Sequence, residues 1–280
     1  MASTSDDPFR IRDHVAEFDE IVREIVGRSE ATRLRRPMAA DISYGADPTE
    51  TVDLFFPAVR RESMPVHMFI HGGYWRMFSK RDYSYVAETI IKAGAIAVIV
   101  DYALMPSVRM ATIVDQVRRA RRWVVDYIAA YGGDPARLTV SGHSAGAHLA
   151  TFLFTEAEIP AGIQAALLLG GLYDLKPLQS SFLRSEIGIT NAEVGSFTPL
   201  THRHDKNTKV KIMVGGNETP PFHDQAKAFA SSLRSQGLRV SSVTLADRNH
   251  MDSVRDLGTA SSEAGRHLME VIDLAETMAL

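Results

Sequence analysis

Seven short apolar runs constrain this chain more than any other feature: Val52 to Phe56, Val66 to Ile70, Ala95 to Val100, Leu138 to Val140, Ala165 to Leu169, Val210 to Val214 and Val240 to Leu245. Several are apolar without interruption, whereas a strand with one wet face would alternate. Such strands must be covered on both sides. Helical patterns between the runs supply the cover, the clearest being Ile113, Val117, Ala120, Val124 and Ile128. That pattern leaves Arg118, Arg119, Arg121 and Arg122 to a solvated face, and Gly132 and Gly133 stop it. The alternation of strand and helix predicts an α/β fold built on one mostly parallel sheet.

Ahead of the sheet, Val15, Phe18, Val22, Ile25 and Val26 recur at helical spacing between Asp13 and Gly27. A last helix is expected from about Ser253 to the C-terminus, on Val254, Leu257, Ala264, Leu268 and Val271. Residues 175–209 break the rhythm with short mixed segments. Together with an N-terminal helical segment, 8–37, they are expected to form a small cap on one domain spanning 1–280. A chain of 280 residues needs no covalent staple to stay folded, because it buries roughly three quarters of its unfolded surface. It contains no cysteine, which excludes disulfides, thiolate nucleophiles and cysteine-type zinc sites together. Its formal charge of -3 offers nothing to nucleic acid or an anionic membrane. The opening residues MASTSDDPFR are polar and acidic where an export signal needs a basic start and an apolar stretch, so a cytoplasmic location is expected. No apolar run approaches a membrane span. The expected partner is a small molecule, and a homodimer is left open.

Chemistry enters where the run Leu138 to Val140 passes into Ser141-Gly142-His143-Ser144-Ala145-Gly146-Ala147. The pattern G-x-S-x-G arises by chance in about one chain in ten of this length, so its context carries the weight. Between a strand and a small-residue helix, glycines on either side of the serine allow a turn sharp enough to present the Ser144 hydroxyl at its tip. A second signal, His71-Gly72-Gly73-Tyr74-Trp75, follows Val66 to Ile70, at the end of a strand where open α/β sheets bind ligands. An acyl-transfer site needs N–H groups for a developing oxyanion, and Gly72, Gly73 and Ala145 are the candidates. His71 is expected to fix the loop. A serine nucleophile also requires a base, and His250 lies in the loop after the last apolar run, ahead of the final helix. His202, His204, His223 and His267 are worse placed. Tyr74, Trp75, Phe78 and Phe222 are candidates for an aromatic-accepting pocket, or else for packing. No cofactor or metal is expected, since His143 and His148 do not share a helix face and the pair His202 and His204 lacks a third ligand.

These motifs, with Asp101-Tyr102-Ala103-Leu104-Met105-Pro106 and Gly133-Asp134-Pro135, make the chain from about Ser43 onward resemble the α/β-hydrolase fold. The likeness is to the branch of hormone-sensitive-lipase-like esterases and kynurenine formamidase-like enzymes. It implies about eight strands, the second antiparallel, and a serine, acid, histidine order. The acid would follow the penultimate strand, where Glu218 stands in a place that relatives often give to aspartate, with Asp224 and Asp174 as rivals. The resemblance implies a serine hydrolase of small esters or amides working through an acyl-enzyme. The segments His71 to Trp75 and Gly215 to Phe222 are similar to formamidases and suggest N-formyl or aryl amides. A carboxylesterase and a non-catalytic ligand-binding protein of the same fold are the alternatives.

Overall fold

The uninterrupted runs form the middle of an eight-stranded sheet. A computed structural model describes residues 7–157 and 162–275. Its strands are β1 (Met38–Ser43), β2 (Thr51–Phe55), β3 (Met64–Ile70), β4 (Ile96–Val100), β5 (Gly133–His143), β6 (Ile163–Leu169), β7 (Lys209–Gly215) and β8 (Val240–Leu245). The α-helices are α1 (Ile11–His14), α2 (Phe18–Arg35), α3 (Ala87–Lys92), α4 (Met110–Tyr127), α5 (Ala145–Thr151), α6 (Leu183–Glu186), α7 (Asn191–Phe197), α8 (Pro220–Ser235), α9 (His250–Leu257) and α10 (Glu263–Asp273). The sheet runs β1-β2-β4-β3-β5-β6-β7-β8. Only β2 opposes its neighbours; the other pairings are parallel. Every residue of β3 and β4 is buried, as strands covered on both faces require.

The strand order sets the position of the site. From β3 the chain crosses to β4 on one side, and from β5 it crosses to β6 on the other. The carboxyl ends of β3 and β5 therefore flank a crevice from which the connections diverge. A buried polar bridge fixes their register. His67 on β3 bonds Thr139 Oγ1 at 2.7 Å and Ser141 Oγ at 2.6 Å on β5. Burial pushes this imidazole down to about 3, so it stays neutral. The register brings Ile70, one residue short of His71, beside Gly142, the first glycine of the serine turn.

One strand carries no apolar run of its own, and two expectations about helices change. The edge strand β1 has no continuous apolar run, because most of its residues are exposed or half-exposed. The N-terminal helix does not stop at Gly27; a short α1 precedes it and α2 continues to Arg35. The last helix is two helices, broken after Leu257. A Cβ on Gly258 would lie 2.3 Å from the Tyr85 ring, and Tyr85 is itself tied to Val254 O at 2.8 Å. The chain turns there, and Ser262 caps α10 through Gly265 N. The expected end of that helix at residues 276–280, like the opening residues 1–6, lies outside the described residues. Among the described residues no helix is long and apolar enough to cross a membrane.

Candidate active site

Ser144 joins β5 to α5 with φ 54° and ψ −119°, a conformation that side chains other than glycine rarely adopt. The surrounding packing imposes it. A Cβ on Gly142 would sit 2.2 Å from Gly146 O, and one on Gly146 would sit 2.1 Å from Ile70 O. Strand β5, helix α5 and strand β3 thus approach more closely than any side chain permits. Ser144 N donates to Leu169 O at 2.8 Å, which ties the turn to the neighbouring strand. Ser144 is 2% exposed, and it lines a cavity of about 240 Å³.

His250 lines the same cavity. It is the first residue of α9, whose Asn249 cap accepts from Met251 N and Asp252 N while Asp252 accepts from Asn249 N. Its Nδ1 lies 2.7 Å from Glu218 Oε2, and the other Glu218 oxygen accepts from Gly215 N at 2.8 Å. A carboxylate with both oxygens engaged by donors must receive the Nδ1 proton. Nε2 is left bare, as a base requires. The Ser144 hydroxyl makes no hydrogen bond with His250 in this arrangement; such contacts often tighten only around substrate. Of the rival acids, Asp224 is exposed on α8, and Asp174 accepts from Lys176 N at 2.9 Å. Neither bonds an imidazole.

The loop after β3 is wound left-handed, with positive φ at Gly73, Tyr74, Trp75 and Phe78. Arg76 N and Met77 N both donate to Gly73 O, closing the turn. His71 fixes its start: Nδ1 donates to Gly72 O at 2.8 Å, and Tyr102 stacks on the ring at 4.2 Å while donating to His71 O. Gly73 and Tyr74 lie on the cavity wall. Gly72 packs behind them, where its Cβ would be 3.2 Å from the Ser144 Cβ.

The pocket expectation is corrected for two aromatics. Trp75 is fully buried against His148, and Phe222 is buried against His250 at 4.7 Å between ring centres. Neither is part of the wall, and both are packing residues. Tyr74 does line the cavity, joined by Phe18, Phe78, Tyr83 and Phe182. Phe78 is a sequence candidate for this wall; Phe18, Tyr83 and Phe182 are not. His143 also lines it, with its ring 4.6 Å from that of His250. Burial, then the neighbouring His250, pushes His143 well below its usual range. The neutral ring donates from Nε2 to His250 O at 3.1 Å and takes the Tyr83 hydroxyl at 3.5 Å on Nδ1. It thereby holds the first turn of α9 in place.

The roof comes from distant chain. Arg10, Ile11, Arg12 and Asp13 overhang one side, and Phe182 and Glu186 the other. The N-terminal segment is pinned beside the chemistry: Thr219 Oγ1 donates to Pro8 O at 2.7 Å, and Tyr74 O–H donates to Phe9 O at 2.5 Å. Asp7 accepts from Phe182 N, joining the two roof pieces.

Comparison with known proteins adds four findings. A family profile described as the alpha/beta hydrolase fold matches residues 67–252. Kynurenine formamidase of Danio rerio is 28% identical over 253 residues, covering 85% of each chain. Esterase LipQ of Mycobacterium tuberculosis is 29% identical over 209 residues, 66% of this chain and 50% of that one. Among solved structures, a candidate thioesterase from Silicibacter sp. shares the fold with a TM-score of 0.82 at 24% identity, covering 95% of this chain and 97% of that one.

Proposed function

The chain belongs to the α/β-hydrolase family, and on that premise we propose that this serine hydrolase cleaves N-formyl aryl amides, with Ser144 as nucleophile, His250 as base and Glu218 as the acid that orients it. The observation that carries this reading is the Glu218–His250 pair. It leaves an unprotonated Nε2 in the cavity that a backbone-strained Ser144 also lines. In the reaction Ser144 Oγ attacks the formyl carbon as its proton passes to His250 Nε2. The imidazolium is stabilised by the ionised Glu218, which keeps its charge throughout. The oxyanion is received by N–H groups of the Gly72–Gly73 turn and of Ala145. His250 then returns the proton to the departing nitrogen as the C–N bond breaks, and water removes the formyl group by the same route in reverse.

A cavity of about 240 Å³ is below the roughly 300–1,000 Å³ usual for ligand sites, which supports a small acyl group. Segments 8–37 and 175–209 act as the cap, and the aromatic wall of Tyr74, Phe78, Tyr83 and Phe182 takes the aryl part. Similarity to formamidases over most of both chains supports the amide substrate, and the esterase relatives make short-chain esters the second. Parallel kcat/KM measurements on N-formylkynurenine and p-nitrophenyl acetate test the choice. A wide margin for the formamide is expected, and a margin for the ester transfers the reading to a carboxylesterase. Failure of a fluorophosphonate probe to label Ser144 would refute both.

A further inference from the structure

Three arginines face the mouth of the cavity, and two are committed. Arg12 holds Asp19 with contacts of 2.6 and 2.7 Å, and Arg76 holds Glu186 at 2.6 Å. Arg10 is different. Among the described residues its nearest acid, Asp13, is 3.7 Å away without a hydrogen bond, and its buried Nε has no acceptor. The guanidinium lies 4.5 Å above the Phe182 ring, a platform that sets its plane without using any N–H. The backbone on which it rides is held by the bonds from Thr219 and Tyr74 to Pro8 and Phe9. A planar fork of donors has thus been placed on the lining of an aromatic-walled site, oriented by the Phe182 ring, with Asp13 at 3.7 Å as its ion-pair partner among the described residues and no hydrogen bond to it.

We propose that Arg10 is the carboxylate-binding group of this cavity, so that substrates carrying a carboxylate beyond the scissile bond are selected over neutral ones. The inference rests on the hydrolase reading above and names the substrate class more closely. A carboxylate matches the guanidinium fork with two parallel N–H···O bonds, a geometry that neither the Asp13 contact nor water reproduces. Arg10 lines the cavity without joining the Glu218–His250 pair, so it is a specificity residue, expressed in KM.

The test compares N-formylkynurenine with N-formylkynuramine, which lacks only the carboxylate, in the unaltered chain, Arg10→Gln and Arg10→Lys. The unaltered chain should favour the carboxylate substrate by about tenfold to hundredfold, the worth of a charge-assisted pair. Arg10→Gln should erase that preference through the KM of the carboxylate-bearing substrate, and Arg10→Lys should restore part of it, being a charge without the fork. A preference that survives in Arg10→Gln, its absence from the unaltered chain, or an equal rise in KM for both substrates overturns the proposal. Turnover of neither anilide defeats the formamide reading alone. The ratio is then taken on 3-carboxyphenyl acetate against phenyl acetate, and the same outcomes decide.

Discussion

Glu218→Gln is the sharpest perturbation of the site, because the structure dictates which way the new amide must face. Glu218 Oε1 accepts from Gly215 N, a donor fixed in the backbone. A glutamine therefore keeps its carbonyl there and turns its NH₂ toward His250 Nδ1, where Oε2 now stands at 2.7 Å. Two donors cannot face each other, so the imidazole must move its proton to Nε2. It then has no lone pair for the Ser144 hydroxyl and no carboxylate to stabilise the imidazolium. The loss in kcat should be about four powers of ten, or about 5.4 kcal/mol in the barrier at 1.36 kcal/mol per decade. The fold should survive, since volume and the Gly215 bond are kept. Glu218→Asp is a second measure: one methylene shorter, it cannot serve both donors, and the displaced imidazole should cost on the order of 10²-fold. The assay is kcat on p-nitrophenyl acetate, with thermal unfolding as the control on folding. Turnover of Glu218→Gln within tenfold of the parent would refute the reasoning and move the acid's role to Asp224 or Asp174.

Two glycines should respond with opposite signs. Gly146→Ala drives a Cβ to within 2.1 Å of Ile70 O and should destabilise by about 3 kcal/mol, whereas Gly27→Ala, with nothing within 4 Å, should stabilise α2 by about 0.5–1 kcal/mol; urea midpoints read both. Acid should weaken the fold well above the carboxylate range. Burial, the first cause in each case, lowers His67 to about 3 and His148 and His204 to about 4. These residues stay neutral when folded while the unfolded chain takes up protons below 6.5, so stability is full above that pH and falls as pH drops toward 4. Between pH 7.5 and 5.5 each should cost about 1.3 kcal/mol, or about 4 kcal/mol for the three, and a measured loss under about 1 kcal/mol would contradict it. Tyr74→Phe removes the hydroxyl from Phe9 O and should loosen the roof by about 1 kcal/mol, seen as faster proteolysis of the N-terminal segment ahead of global unfolding.

What could be read from the sequence divides along a physical line. The elbow was legible because its geometry dictates residue types: only glycines at 142 and 146 let β5, α5 and β3 close on one another. His250 was legible as a place along the chain, in the loop after the last strand, whereas Glu218 was named only through the family resemblance; the structure sets the two 2.7 Å apart. Features set by distant contacts were not. The break after Leu257 comes from the Tyr85 ring, which no helical periodicity reports. Strand β1 is a half-exposed edge, so it lacks the apolar run that marks its neighbours. Trp75 and Phe222 read equally well as wall or packing, because an aromatic beside a motif has no sequence mark of the side to which its ring turns.

The same division separates reaction from substrate. Ser144, His250 and Glu218 stand at the ends of β5, β8 and β7, held by strand register, a helix cap and one backbone N–H. Nothing in that set refers to the leaving group. The groups that would recognise one, Arg10, Phe182 and Tyr83, come from three segments that make no common pattern. They meet through bonds such as Asp7 to Phe182 N across 175 residues. Substitutions in the roof can therefore change which acyl compound enters while the strand ends go on presenting the proposed nucleophile and base. A pattern confined to the strand ends specifies the class of bond broken, and the substrate must be sought in the overhanging chain.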